Sequence, residues 1–285
     1  MGSWAQIWQR HMKAVTRRVV KSAVNGAVKQ TVKSAVGLVV GQTVKRTVKQ
    51  AVKKTRLSRA SGTGAWLPGV AIGPGGVRAY RLYRPPGLTP SERLPLLVML
   101  HGCGQSSSDF AASTRMNQLA DRERCWVLYP EQDRLANPQG CWQWFESASG
   151  RADAEIEVLM SAIEQACLRH PIDADRVAVA GLSAGASMAA LMARKHPTRF
   201  KAVVMHSGIA PGLAISRTSA LPAMRGHRRA QAWEQTGLLP PLLVIHGAAD
   251  PVVAPGNGVV AARLWADALG AVASASRKVQ RGTTP

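Results

Sequence analysis

The sequence lacks the features that would assign the chain to a membrane or to a small disulfide-rich scaffold. It contains no run of 18 or more apolar residues, so no transmembrane helix is expected. Its first 30 residues contain neither the continuous apolar stretch nor the small-residue cleavage site of a signal peptide. Four cysteines in 285 residues are too few for a disulfide scaffold. Since no Cys-x-x-Cys pair or histidine cluster occurs, we expect no zinc or other metal site.

Acidic residues are absent from the first 60 positions, which contain eight lysines and six arginines. This segment therefore carries 14 of the 21 net positive charges of the chain. Valine recurs at every fourth position from Val24 to Val52, with lysine following it at many of these positions. A period of four drifts around a helix and also fits a strand, so the periodicity does not decide the structure.

Two interpretations of this basic segment remain open. One is a low-complexity, solvated extension. The other is a basic amphipathic segment over residues 14–56 that binds an anionic surface, such as a membrane, a polymer granule or a nucleic acid. No aromatic residue lies between Trp8 and Trp66, which argues against a platform for base stacking.

Beyond this segment, short apolar stretches typical of buried strands alternate with helical stretches. Such alternation predicts an α/β fold with a mostly parallel central sheet and helices on both faces. Residues 211–240 interrupt the alternation with proline, glycine and arginine, and we expect a long loop or cap there. The predicted organisation is therefore a basic valine-rich arm (1–60), a linker (61–76) and an α/β domain (77–285).

The motif Gly181-Leu182-Ser183-Ala184-Gly185 lies between a β-branched run and a helix-favouring run of alanine, methionine and leucine. This strand-turn-helix context is typical of a nucleophile elbow, in which a strained serine exposes its Oγ. The two glycines would allow the strand and helix backbones to pass closely. Ser183 is therefore the predicted nucleophile.

Three further stretches follow predicted strands. The first, His101-Gly-Cys-Gly-Gln105, allows the backbone N–H groups of Cys103 and Ala184 to converge on a developing oxyanion. The second, His246-Gly-Ala-Ala-Asp250, places Asp250 where a triad acid would orient a histidine; an ordinary turn aspartate is the alternative. The third is an aromatic loop, Cys141-Trp-Gln-Trp-Phe145, which fits either a substrate-pocket wall or a core plug.

Together with Tyr129-Pro-Glu-Gln, these motifs resemble the α/β-hydrolase esterases of the polyhydroxybutyrate depolymerase and feruloyl esterase type. The resemblance covers about residues 65–280 and excludes the basic arm. It implies a serine esterase that acts on poly- or oligo-(3-hydroxyalkanoate) esters or related carboxylic esters, without a metal or cofactor. The implied site comprises the Ser183 nucleophile, the acid Asp250, the oxyanion-hole backbones of Cys103 and Ala184, and substrate contacts at Gln105 and Trp142.

Cys103 and Cys141 both lie in loops at the rim of the predicted site. A disulfide between them is expected in an oxidising compartment, and two buried thiols in a reducing one. The resemblance favours an extracellular protein, whereas the N-terminal sequence favours a cytoplasmic one. Localisation therefore stays open.

No histidine follows Asp250, although hydrolases of this fold place the triad in the order serine, acid, histidine. All seven histidines precede it. We therefore expect a C-terminally truncated α/β-hydrolase with impaired activity. His227, in the irregular 211–240 stretch, is the one flexible alternative base. The alternative function is an inactive hydrolase scaffold that its basic arm tethers to an anionic or granule surface.

Overall fold

The computed structural model describes residues 62–89, 91–229, 233 and 238–271. The predicted basic arm lies outside the described residues. Strands and helices alternate along the described chain, and their bounds are β1 Ala65–Gly73, β2 Gly76–Arg84, β3 Leu94–Leu100, α1 Ser107–Thr114, α2 Met116–Glu123, β4 Trp126–Pro130, α3 Arg151–Arg169, β5 Ile172–Leu182, α4 Ala184–Lys195, β6 Ala202–His206, α5 Arg217–Met224, β7 Leu242–Ile245 and α6 Gly256–Leu269.

The strands form one sheet in the order β1-β2-β4-β3-β5-β6-β7. Strands β3 to β7 pair in parallel with one another, whereas β2 pairs antiparallel with both of its neighbours, β1 and β4. Helices α3, α4 and α6 contribute to the larger apolar core, and α1 and α2 contribute to a separate cluster around Tyr129 and Phe110. Helices therefore cover both faces, and the predicted mostly parallel α/β sheet is confirmed.

Helix α4 lies in the interior of the domain, and the small apolar residues that it carries are buried. Ala186, Ala189, Ala190 and Ala193 are all fully buried. A helix that is apolar on all sides belongs in the interior rather than on the surface. This helix starts at the carboxyl end of β5, so its position fixes the position of the turn between them.

The linker predicted over residues 61–76 is wrong for its central part, because residues 65–73 form β1. Trp66 packs against Tyr83 and Tyr129, with ring centroids 5.5 and 5.4 Å away. A Cβ atom at Gly73 would lie 3.0 Å from the Cα atom of Val158 in α3. Gly73, one of the glycines on which the linker prediction depends, therefore allows the hairpin of β1 and β2 to approach α3 closely.

The long loop predicted over residues 211–240 contains a short helix, α5, which the sequence analysis missed. Ser216 and Ser219 form a capping box at its start. Pro222 lies inside the helix, although a proline at such a position favours a loop. Among the described residues, no helix combines the length and apolarity needed to cross a membrane.

Candidate active site

Ser183 lies at the junction of β5 and α4 with φ 54° and ψ −117°. A positive φ is strained for a residue other than glycine, and such strain is characteristic of functional turns. The Ser183 N–H donates to the carbonyl of His206 (2.8 Å), which ties the turn to the end of β6. The side chain of Ser183 is half-buried.

The two glycines of the motif are required by close backbone contacts. A Cβ atom at Gly181 would lie 2.2 Å from the carbonyl oxygen of Gly185. A Cβ atom at Gly185 would lie 2.2 Å from the carbonyl oxygen of Leu100 and 2.6 Å from that of His101. The first turn of α4 therefore abuts the carboxyl end of β3, where the predicted oxyanion turn begins.

The turn from His101 to Gln105 is closed by its own hydrogen bonds. The Gly102 N–H donates to Oε1 of Gln105 (2.8 Å), and the Gln105 N–H donates to the Gly102 carbonyl (3.2 Å). Gln105, predicted to contact substrate, thus has its side-chain oxygen engaged in shaping the turn. Within the described chain, the N–H of Cys103 has no acceptor. Ala184 is the first residue of α4, and such N–H groups have no partner inside the helix.

His101 is buried and holds the turn through both ring nitrogens. Its Nε2 accepts from the Gln132 N–H (3.1 Å), so Nδ1 is the nitrogen that donates to the Gly102 carbonyl (2.9 Å). Burial lowers the pKa of His101, which keeps the ring neutral near pH 7. A neutral ring with both nitrogens engaged has a structural role here and is not available as a general base.

A buried polar network lies beneath this turn, and the sequence analysis missed it. Glu155 Oε1 accepts from Arg78 (2.8 Å) and from Nε2 of Gln132 (2.6 Å), while Oε2 accepts from the Gln143 N–H (2.6 Å). Nε2 of Gln132 also donates to the carbonyl of Cys141 (2.9 Å). The network thus joins the segment after β4 to the aromatic loop, and Gln132 connects both to His101.

One sequence signal could have revealed this network. Glu155 lies on the face of α3 that also carries the buried residues Ile156, Leu159 and Ile163. A carboxylate on an apolar helix face requires a buried partner. The partner Arg78 lies 77 residues away in the chain, so no local pattern identifies it.

Cys103 and Cys141 are joined by a disulfide, which links the turn from His101 to Gln105 to the aromatic loop. Cys125 and Cys167 are free thiols. Trp142 is fully buried, and its Nε1 donates to the carbonyl of His101 (2.9 Å). Its predicted contact with substrate is therefore corrected: Trp142 is a core plug that supports the turn from below.

Asp250 follows β7 and is held by the backbone of its own loop. Its Oδ1 accepts from the N–H groups of Val252 (2.9 Å) and Val253 (3.0 Å), and its Oδ2 lies 3.6 Å from Nε2 of His246. Burial alone would raise the pKa of Asp250. The two N–H groups, the Ser207 hydroxyl and His246 outweigh burial, so the pKa is lowered and the carboxylate is ionised near pH 7.

The histidines near the two predicted catalytic residues are engaged elsewhere or exposed. Nε2 of His246 lies 3.0 Å from the carbonyl of Val253, which leaves the ring directed at its own loop. His206 contacts the elbow through its backbone, and its side chain is exposed. His227 is exposed after α5. In the described chain, no histidine ring is hydrogen-bonded to Ser183.

The chain is similar to known proteins in family, in sequence and in structure. A model of the family described as "Esterase PHB depolymerase" matches residues 78–279. A poly(3-hydroxyalkanoate) depolymerase C of Paucimonas lemoignei is 31% identical over 65% of this chain and 46% of its own length. A feruloyl esterase B of Thermothelomyces thermophilus is 27% identical over 62% of this chain and 66% of its own length.

The fold is shared with solved structures. An acetyl xylan esterase from Aspergillus awamori superposes with a TM-score of 0.62 at 19% identity, over 73% of this chain and 81% of that chain. The chain spans between about half and two thirds of the length of the curated relatives named above. The family resemblance carried by the motifs is confirmed, since the family match covers most of the α/β domain. The chain belongs to the Esterase PHB depolymerase family.

Proposed function

We propose that the chain is a carboxylic ester hydrolase that uses Ser183 as its nucleophile. The strained backbone of Ser183, at the start of α4, is the observation that carries the proposal. Such a turn costs stability, and strained residues of this kind are found at functional sites. The close approach of Gly185 to Leu100 and His101 supports an oxyanion hole built from Cys103 and Ala184, because it brings the two backbones together.

The proposed reaction follows the acyl-enzyme route. Oγ of Ser183 forms a bond to the ester carbonyl carbon while its proton passes to a general base. The carbonyl oxygen becomes an oxyanion, which accepts hydrogen bonds from the N–H groups of Cys103 and Ala184. Collapse breaks the bond to the alcohol oxygen, which takes the proton from the base. Water then releases the acid by the same steps, with Asp250 as the ionised partner of the base.

The general base is the element that the sequence does not provide in its usual place. We propose that the 285-residue chain alone hydrolyses esters several orders of magnitude more slowly than an enzyme with a complete triad. The surroundings of Asp250 support this proposal. His246 is the histidine closest to Asp250 in sequence, but its ring is hydrogen-bonded to a carbonyl of its own loop and so is not placed to act as the general base. His227 is the alternative base to be tested.

The proposed substrates are poly- or oligo-(3-hydroxyalkanoate) esters. The depolymerase of Paucimonas lemoignei supports this class, being 31% identical to the chain. Feruloyl and acetyl xylan esters are the competing class, which the names of the other relatives support. A panel of 3-hydroxybutyrate oligomers, feruloyl esters and acetylated xylan, compared by kcat/KM, would decide between them.

Labelling with a fluorophosphonate tests the nucleophile independently of turnover of an ester. We expect slow labelling at Ser183, none in Ser183→Ala, and unchanged labelling in the matched variant Ser91→Ala. Parallel assays with p-nitrophenyl butyrate would show weak hydrolysis that Ser183→Ala abolishes. Rapid hydrolysis that His227→Ala removes would assign the base to His227. Rapid hydrolysis that Ser183→Ala leaves intact would refute the proposal.

A second function is supported by the charge of the basic arm. Residues 14–56 belong to a segment of 14 positive charges without an acidic residue. We propose that this segment binds an anionic surface and thereby tethers a catalytically inactive hydrolase scaffold to it. Sedimentation with phosphatidylserine vesicles or polyhydroxybutyrate granules should require residues 14–56, weaken steeply with salt and be indifferent to Ser183→Ala. Binding that survives removal of residues 14–56 would exclude this function.

A further inference from the structure

The first turn of α4 contains a second serine, Ser187, whose side chain is 1% exposed. Its Oγ accepts a hydrogen bond from the backbone N–H of Ile209 (2.9 Å). A hydroxyl also has one proton to donate, and the carbonyl oxygen of Ser183 lies 3.3 Å from Oγ to accept it. Ser187 therefore joins the proposed nucleophile to the segment that follows β6.

The support for Ser187 is the segment 206–209, which packs tightly against α4. A Cβ atom at Gly208 would lie 2.7 Å from that of Ala186. Ser207, the residue before it, has a φ of 53°, and its N–H donates to a carbonyl of β7 (2.9 Å). A residue keeps such a strained conformation only where its surroundings hold it. Ser187 is therefore bonded to a fixed part of the fold.

The carbonyl of Ser183 accepts two hydrogen bonds, both from Ser187. The second comes from the backbone N–H of Ser187 (3.1 Å). This carbonyl belongs to the same peptide group as the N–H of Ala184, the proposed oxyanion donor. In a trans peptide the two groups point in opposite directions, so donors on the carbonyl fix the direction of the N–H. Hydrogen bonds in series also polarise one another, which makes that N–H a stronger donor.

Ser183 is the N-cap residue of α4, but its own side chain caps none of the N–H groups of this described helix. An N-cap serine commonly accepts from an N–H two or three residues further on. The hydroxyl of Ser183 is therefore left out of helix capping. The side chain that restrains the cap carbonyl is that of Ser187 instead.

The second proposed oxyanion donor shows the same arrangement. The N–H of Cys103 shares its peptide group with the carbonyl of Gly102, which accepts from Nδ1 of His101 (2.9 Å) and from the N–H of Gln105 (3.2 Å). Each of the two peptides is thus held by two donors on its carbonyl. A serine inside a helix often bonds back to a carbonyl of the preceding turn. The repeated arrangement, together with the bond from the segment after β6, favours a role in orientation over ordinary back-bonding.

We propose that Ser187 is a positioning residue, which holds the peptide between Ser183 and Ala184 so that the Ala184 N–H points at the reacting oxygen. This inference rests on the proposed function, since it requires Ser183 to be the nucleophile. Loss of a whole oxyanion donor lowers rates about 10²–10³-fold. Misdirecting one donor should cost less, about tenfold, and should affect the rate of reaction rather than the binding of the reagent.

The kinetics of fluorophosphonate labelling of the 285-residue chain test this role, because kinact reports the reaction at Ser183 and KI reports binding of the reagent. Ser187→Ala should lower kinact about tenfold and leave KI unchanged. The pair Ser187→Thr and Ser187→Val shares any crowding by added methyl groups and differs in the hydroxyl. Ser187→Thr should therefore react about tenfold faster than Ser187→Val. Equal kinact values in this pair would overturn the proposal.

Ser219→Ala separates positioning from a loss of stability. Oγ of Ser219 also accepts from a backbone N–H, that of Ile215 (3.0 Å), and donates to a backbone carbonyl, that of Ser216 (2.9 Å), at the start of α5. Both alanine variants should melt at a lower temperature, because each leaves an N–H without its partner. Only Ser187→Ala should lower kinact.

Two outcomes would overturn the role of Ser187 while leaving the nucleophile assignment intact. One is a native kinact in Ser187→Ala, and the other is an equal loss of kinact in Ser219→Ala. A folded native chain that shows no labelling at Ser183 would instead refute the proposed nucleophile and, with it, the positioning role.

Discussion

Replacing Glu155 with glutamine should destabilise the domain strongly, because this carboxylate accepts three buried hydrogen bonds. Arg78 and Glu155 are 2% and 1% exposed, so the guanidinium has no access to water when its partner is lost. Breaking a buried ion pair on one side costs about 3–5 kcal/mol. A glutamine keeps one acceptor oxygen but presents an NH₂ group to the remaining donors, Gln132 and the Gln143 N–H.

The expected change in the melting temperature follows from the size of the domain. A domain of this size shifts by about 2–4 °C per kcal/mol, so Glu155→Gln should melt about 6–20 °C lower. Circular dichroism during heating, and the guanidinium midpoint, measure this change. The matched control is Glu164→Gln, which breaks an ion pair to Arg199 in which the glutamate is 54% exposed. That variant should lose less than about 1 kcal/mol.

A double variant separates the cost of an unpaired buried charge from the cost of changed packing in the free energy of unfolding. Arg78→Met with Glu155→Gln removes the buried charge together with its partner. It should be more stable than Glu155→Gln alone, since no unpaired guanidinium remains. If Glu155→Gln changes stability no more than Glu164→Gln, or if the double variant is the least stable of all, the reasoning about the buried charge is wrong.

Three further predictions concern the candidate site. Ser183→Gly should be about 1 kcal/mol more stable than Ser183→Ala, because only glycine adopts a φ of 54° without strain. Neither variant should react with a fluorophosphonate. Equal melting temperatures of the two variants would mean that the turn is not strained. Reduction of the Cys103–Cys141 disulfide, which closes a loop of 38 residues, should cost about 3–4 kcal/mol in denaturant titrations, and an unchanged midpoint would contradict this. Because the pKa of Asp250 is lowered in the folded state, its contribution to stability is present above about pH 4 and is lost as the pH falls through the folded-state pKa. Native protein and Asp250→Asn should therefore converge in stability at low pH, and a constant difference between pH 7 and pH 2 would refute it.

The central part of the fold could be predicted because its signals are local. The alternation of apolar strands with helices predicts the parallel sheet, and the glycines around Ser183 predict the sharp turn. The sequence predicts a linker where the first strand lies, because the glycine and proline in residues 61–76 are typical of a linker as well. Only tertiary contacts, such as that of Trp66 with Tyr129, make this stretch a strand.

The surroundings of the site could be predicted less well, because they depend on which side of a loop faces inward. The sequence of the aromatic loop fits a pocket wall as well as a core plug, and it contains no sign of the hydrogen bond from Trp142 to the His101 carbonyl. The Glu155 network joins segments that are distant in the chain, such as Arg78 and Gln132. Neither periodicity nor motif spacing reports contacts of that kind.

The turn from His101 to Gln105 is restrained from two sides, and this geometry makes a final prediction. The disulfide holds Cys103 to Cys141, and Gln132, itself bonded to Glu155, holds the Cys141 carbonyl. If both restraints act on the same loop, releasing one allows the loop to open and the other then contributes less. Reduction of the disulfide should therefore cost at least about 0.5 kcal/mol less in Glu155→Gln than in the native chain. Strict additivity in denaturant titrations would instead mean that the disulfide acts on the unfolded chain alone.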